Sequence, residues 1–394
     1  MGPLAGARVL EISRGPAATF AASCWRNWAP MSSSWPAGGH PARGAGPFAG
    51  KAPHPEGSAA FLYGHTNKRS VIAELDREDG RARLARLCDQ ADALVTDLTP
   101  ADERRLGLDL DALCRAHPAL SVTYVTAYGR TGPLADAPAD ELTVQALSGF
   151  MDLHGLPARP PVAAPGNQAA HIAGLAAAVG AAAALLVGRR TGAGRTVDVA
   201  AVEAMAALLF GPTMIHTYQG VARTRSGNLS LNYGPLTDAY PCHDGYIAIA
   251  VQTSRQWETL CALLERPDLV ETVPWGTARE TPAPVAEAIS AWTRARDRRS
   301  AFLAMQEYRL PVGMVLSPEE LLDDPQCAER GFFTTVHHPQ VGALRYPGSP
   351  FDPPGVWRVE RPAAGRARRG AVVRGAAGGA GAKPTWQRGA GAAA

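Results

Sequence analysis

Four β-branched or apolar runs, each separated from the next by a segment of helical character, constrain this chain more than any other feature. They are "ARVLEIS" (Ala7 to Ser13), "RSVIAEL" (Arg69 to Leu75), "DALVTDL" (Asp92 to Leu98) and "SVTYVTAYG" (Ser121 to Gly129). Between them, "RGPAATFAA" opens a helix with Pro16 near its start. "DREDGRARLARLCDQA" spaces Leu84, Leu87 and Cys88 at helical intervals behind an acidic first turn, and "LDLDALCRAHPAL" is a short helix stopped by a proline. Strands alternating with helices predict parallel βαβ units with right-handed crossovers, and ligands in such sheets bind at the carboxyl ends of the strands.

The 394 residues, 46% of them hydrophobic and 19% charged, can bury a core of two or three domains. Net charge is +3 and the arginine run lies beyond Arg361, so no basic face points to nucleic acid. The Ala-rich stretch from Ile172 to Gly188 is at the short limit for a membrane span and reads as a buried core helix. The first residues lack a basic segment followed by an apolar one, so no secretion signal is expected. Six cysteines scattered without CxxC spacing suit reduced thiols in the cytoplasm, with no disulfide framework and no metal site.

Further along, helices are expected around "DELTVQALSGFM" and the Ala-rich run, then a strand feeding a helix in "GRTVDVAAVEAMAALLF". The second half changes character, with a hairpin about His243, Asp244 and Gly245 followed by a helix. The expected division is a large α/β domain over 1–215, a smaller α+β domain over 216–335 and a return segment over 336–362. A low-complexity, disordered tail is expected over 363–394.

"SCWRNWAPMSSSW", Ser23 to Trp35, sits where the rest of a helix and a second strand are due, yet has the period of neither. Back-translated and read one base earlier, the genetic code forces Leu from Cys24 with Trp25, Leu from Asn27 with Trp28 and Gly from Trp28 with Ala29. Permitted choices elsewhere give "ELLAELGADVVVV", a helix end, a glycine cap and a parallel strand. The competing reading is a genuine insertion loop. The tail, read one base later from Ala364, permits "LGEHDEVL", but every residue of that reading depends on codon choice.

Taken in order, "PLAGARVLEISRGPAATFAA", "GGHPARGAGPF", "TNKRSV", "RRLGLD", "AYGRTGPL", "ELTVQALSG", "RRTGAGRTVDVA", "LPVGMVLSPEELLDDPQCAERGFF" and "YPGSPF" resemble the signatures of the family III CoA transferases. That group also holds acyl-CoA racemases and carnitine-type CoA transferases. The resemblance, over roughly Pro3 to Pro362, implies a Rossmann-like large domain with a smaller α+β domain and two chains interlocked as a homodimer. It also implies acyl-CoA and carboxylic acids as substrates, with no permanently bound cofactor. It places CoA over Ser13, Arg14, Gly15, Pro16 and Ala17, near Arg43 and Arg105, and arginine suits the phosphates of CoA.

The family's nucleophile is an Asp four residues before a helix glycine. Here that motif reads "GNQAAHIAGL", with Gly174 as the glycine, so the position holds Ala170. The racemase "GHD" segment is "ADE", with Asp140 at the His position and Glu141 at the Asp position. Glu141 is the leading surviving acid and opens a helix; its competing role is that of a helix-start residue. His171 is a candidate base or a packed histidine. Asn167 and Gln168 either hold a thioester carbonyl or cap the helix. Three readings stand: a transferase using Glu141 with His171, a catalytically silent CoA-binding or dimer-partner homologue, and a racemase or isomerase. His337 and His338 read as a surface turn, and Trp257 and Trp292 as core.

Overall fold

The structure, a computed structural model, describes residues 6–25, 31–35, 40–50, 53–228, 236–275 and 281–350. The tail over 363–394 lies outside the described residues, as does most of the stretch between Trp25 and His40.

Its first half follows the alternation in the sequence. β1 (Val9–Ile12) leads through α1 (Pro16–Ser23) to β2 (Met31–Trp35), then through α2 (Ala59–Gly64) to β3 (Lys68–Ile72). After α3 (Glu78–Cys88) come β4 (Ala93–Thr96), α4 (Pro100–Leu106), α5 (Leu110–Ala116) and β5 (Ser121–Thr126). Three helices follow, α6 (Glu141–Leu147), α7 (Phe150–Leu153) and α8 (Gln168–Thr191), then β6 (Thr196–Ala200), α9 (Ala201–Ala207) and α10 (Phe210–Gln219). The six strands pair in parallel in the order β3-β2-β1-β4-β5-β6, the order of a doubly wound nucleotide-binding sheet.

Successive residues of each strand point to opposite faces, which builds two cores. On one face Val9, Val95 and Val125 pack with Ala173, Ala177 and Ala181 of α8. On the other, Leu10, Leu94 and Tyr124 pack with Leu84 of α3 and Leu110 of α5. The Ala-rich run is thus most of a sheet-covering helix, and Gly174 is what lets α1 and α8 touch. A Cβ there would lie 2.7 Å from the carbonyl oxygen of Ala17.

The stretch without a period becomes, in part, ordered sheet. Met31 to Trp35 form β2, an interior strand whose Met31 pairs with Val9 on one side and Lys68 on the other. Trp25 is only 3% exposed and joins the α1–α8 core.

The second half has its own core. β7 (Thr237–Cys242), β8 (Gly245–Ala250) and β9 (Val312–Met314) form an antiparallel sheet. It is covered by α11 (Ser254–Leu263), α12 (Asp268–Thr272), α13 (Ala283–Arg294) and α14 (Arg298–Glu307), burying Ile247, Trp257, Ile289 and Met305. Trp257 is core; Trp292 packs at its edge with Arg296 stacked on its ring. After α15 (Pro318–Leu322) and α16 (Pro325–Glu329), β10 (Phe333–His338) and β11 (Gly342–Pro347) form a hairpin. Its Val336 and Tyr346 pack on Leu62 of α2. His337 and His338 end a strand instead of forming a turn, and His338 is buried.

Candidate functional site

The strand order reverses between β1 and β4, so their connections leave in opposite directions and open a crevice. A cleft of about 740 Å³ lies there, at the carboxyl ends of β1, β4 and β5. The loop from Arg14 to Ala17, the segment from Asp136 to Glu141 and the first turn of α8 form its walls.

The β1–α1 loop is held from two directions. Asp97, just past β4, accepts hydrogen bonds from the backbone N–H groups of Arg14 at 2.9 Å and Gly15 at 2.6 Å. Burial pushes the Asp97 carboxyl up to about 7, against the pull of those amides and the Arg14 charge. The Arg14 guanidinium pairs with Asp102, which also receives Arg105. Beneath the loop, the Ser13 hydroxyl donates to Glu11 at 2.6 Å, and Glu11 is paired with Lys68 at 2.7 Å. Both charged side chains are buried, and Lys68 also donates to the Thr19 carbonyl of α1.

Glu141 begins α6, with Asp140 as the N-cap in a capping box with Thr143. Its carboxylate reaches past its own helix. One oxygen accepts from the N–H of Ala169 at 2.7 Å and from Gln145 Nε2 at 2.8 Å; the other accepts from the N–H of Ala170 at 3.2 Å. Glu141 therefore caps α8, a helix of 24 residues whose first N–H groups would otherwise lack acceptors. Asn167, the N-cap position, takes a left-handed φ of 59° and makes no side-chain cap, while Gln168 turns back to the Pro165 carbonyl. Capping was the expected competing role for these two, and a residue 28 positions upstream performs it.

The cleft gathers Arg14, Gly15, Pro16, Ala17, Glu141 and Ala170. Its lining does not include Ser13, Arg43, Arg105 or His171. Ser13 is buried beneath the loop. Arg43 is buried over the Phe61 ring and paired with Glu56; Arg105 is exposed on α4 beside Asp102. His171 packs its ring 4.5 Å from Phe20, and burial lowers its pKa although Glu141 and the Gly166 carbonyl favour the charged form. The ring is packed between α1 and α8.

Asp97, Asp102 and Thr126 are among the lining residues that had no place in the sequence reading. Asp97 and Asp102 follow β4, a strand whose carboxyl end the strand-end rule already marks. Thr126, at the end of β5, lines the cleft with its hydroxyl buried and without a hydrogen-bond partner among the described residues. Among the described residues no three potential ligands converge to hold a metal ion.

The family profile described as CoA-transferase family III matches residues 4–367. The succinyl-CoA:(R)-benzylsuccinate CoA-transferase subunit BbsE of Thauera aromatica is 34% identical over 328 residues, covering 80% of this chain and 79% of that protein. The succinate–glutarate CoA-transferase of Agrobacterium fabrum is 30% identical over 336 residues, 84% of each. A crystal structure of a CaiB/BaiF family protein from Brucella suis superposes with a TM-score of 0.77 at 26% identity, covering 92% of this chain and 96% of that one.

Proposed function

Because the chain belongs to CoA-transferase family III, we propose that it binds an acyl-CoA in the cleft between β1 and β4, with the thioester against Ala170, as part of an enzyme that moves CoA between carboxylic acids. In this reading position 170 is the family's nucleophile position, and a methyl group there cannot attack a thioester. The observation that carries the reading is the Glu141 carboxylate. It lies at the same helix start as Ala170 but is engaged by three donors as the cap of α8. Hydrogen bonds that stabilise a carboxylate make it a weaker nucleophile, and attack by Glu141 would uncap the helix.

The chain thus supplies binding and orientation, and the attacking carboxylate comes from a second chain of related sequence. Several similar proteins bear the word subunit in their names, which fits an assembled enzyme. So does an exposed apolar face: Leu175, Val179 and Leu186 of α8 and Phe210, Met214 and Tyr218 of α10 all lie open. Covering that face with a mate of the interlocked type supports the same picture and gives α8 an environment other than a membrane. The free thiols suit a cytoplasmic setting.

Direct use of Glu141 as the nucleophile is the second reading, favoured by its 3.2 Å approach to the Ala170 amide. Equilibrium dialysis with CoA, followed by mass spectrometry after acyl-CoA and hydroxylamine, separates the two. We expect CoA binding and no adduct on this chain alone. A hydroxamate at Glu141 would establish the second reading, and absence of any CoA binding would overturn both.

A further inference from the structure

The loop from Arg14 to Ala17 forms one wall of the cleft, and a side chain from another strand fixes its shape. Pairing of Ile12 with Thr96 brings the residue after β4, Asp97, to the point where β1 gives way to the loop. There Oδ2 of Asp97 receives the N–H groups of both Arg14 and Gly15, at 2.9 Å and 2.6 Å. Among the described residues neither N–H has an acceptor outside Asp97. The helix that follows supplies no substitute, since its N-cap is Gly15, without a capping side chain, and its first turn holds no acid.

Two successive N–H groups aimed at one point form an anion seat, the kind that faces a ligand's phosphates in many nucleotide-binding sheets. Here the seat is filled from within the protein. Gly15 suits it, because a Cβ there would lie 3.3 Å from Oδ2 and crowd the carboxyl. The Arg14 side chain runs to Asp102, so backbone and side chain of this residue are both tied to the connection between β4 and α4. Burial disfavours the charge of Asp97, yet the grip does not depend on that charge. Oδ2 alone takes both N–H groups, and the other oxygen is able to carry a proton without releasing them.

We propose that Asp97 is a positioning residue for CoA: by filling the N–H seat at the start of α1, it holds the β1–α1 loop in the backbone form against which CoA lies. The proposal rests on the acyl-CoA reading above. A loop held in its binding form before the ligand arrives binds at full strength, whereas a loop free to turn loses affinity in proportion to the time it spends elsewhere. Without Asp97 the two N–H groups must find other acceptors, and the loop has to turn to reach them.

Titration calorimetry with CoA on the full chain, on Asp97→Ala and on Asp97→Asn tests it, together with hydrogen exchange followed by mass spectrometry. Asparagine keeps an oxygen for the seat and should bind CoA within about threefold of the unaltered chain. Alanine leaves both N–H groups without an acceptor and should bind roughly tenfold or more weakly. In Asp97→Ala the amides of the β1–α1 loop should exchange faster while those of β5 stay protected. Asp97→Ala binding CoA as tightly as the unaltered chain, or tighter, overturns the proposal and leaves the acyl-CoA reading standing. Asparagine as weak as alanine also overturns it, as does weaker binding accompanied by equal loss of protection in β5, which reports general damage. Failure of the unaltered chain to bind CoA removes the acyl-CoA reading itself.

Discussion

Replacing Glu141 by alanine should unfold the start of α8 at a cost that follows from the contacts. The substitution removes the acceptor of two backbone N–H groups and of the Gln145 amide. Loss of an N-cap costs about 1 kcal/mol, and a hydrogen bond to a charged group contributes about 1.5–3 kcal/mol. A carboxylate at a helix N-terminus adds about 0.3–1 kcal/mol through the dipole. These figures describe overlapping contacts, so the net is about 2–4 kcal/mol and not their sum. Gln145 keeps both of its bonds to Ala164, which limits the damage to the helix start. For a unit of this size the loss lowers the melting temperature by roughly 5–15 °C. Glu141→Gln retains an oxygen acceptor but no charge and should lose about half as much. Thermal and urea melts of wild type and both variants, followed by circular dichroism, give the values. An alanine variant within about 0.5 kcal/mol of wild type would refute the capping role and with it the argument that Glu141 is too engaged to attack.

Asp97 makes stability depend on pH in an unusual direction. Its folded pKa is about 7 against 3.8 for the ordinary group, so the folded state binds the extra proton between those values. Stability from this group is therefore greatest below about pH 4, falls as the pH rises to about 7 and is level above that. Asp97→Asn should flatten this slope in urea melts across that range, and an unaltered slope counts against the assignment. Lys68→Met removes the ammonium that offsets the buried Glu11 and should cost about 3–5 kcal/mol by chemical denaturation. Paired with Glu11→Gln it should cost less than the two single changes summed; strict additivity would deny the coupling. Resequencing the DNA for residues 23–35 should return bases that give Leu, Leu and Gly at the three forced positions in a single frame continuous with the flanks, because β2 is an interior parallel strand, a place that favours valine over serine. Bases that encode the printed residues in the same frame as both flanks would remove that reading.

The sheet was legible because each of its strands except β2 carries its own pattern. Val122, Tyr124 and Val125 announce a buried strand, and Leu84 and Cys88 announce the face of α3 that covers it. Nothing in "MSSSW" announces β2; its place follows from registry with Val9 and Lys68, which only the assembled sheet supplies. In the site, the loop from Arg14 to Ala17 was legible through the family resemblance, and the strand-end rule agrees with it. The capping of α8 by Glu141 was not, since it joins residues 28 positions apart across an intervening loop. Arg43 shows the same limit: its stacking over Phe61, 18 positions away, and its pairing with Glu56 are not written in the local sequence. Asp97 was within reach, since it ends a strand whose carboxyl end already marked the ligand side.

The most direct measurement restores the missing group. Ala170→Asp, incubated with butyryl-CoA and digested for mass spectrometry with and without hydroxylamine, should carry an acyl or CoA adduct at residue 170 that hydroxylamine converts to a hydroxamate, while the unaltered chain carries none. A variant that still binds CoA yet stays unmodified at residue 170 would contradict the placement of the thioester against α8.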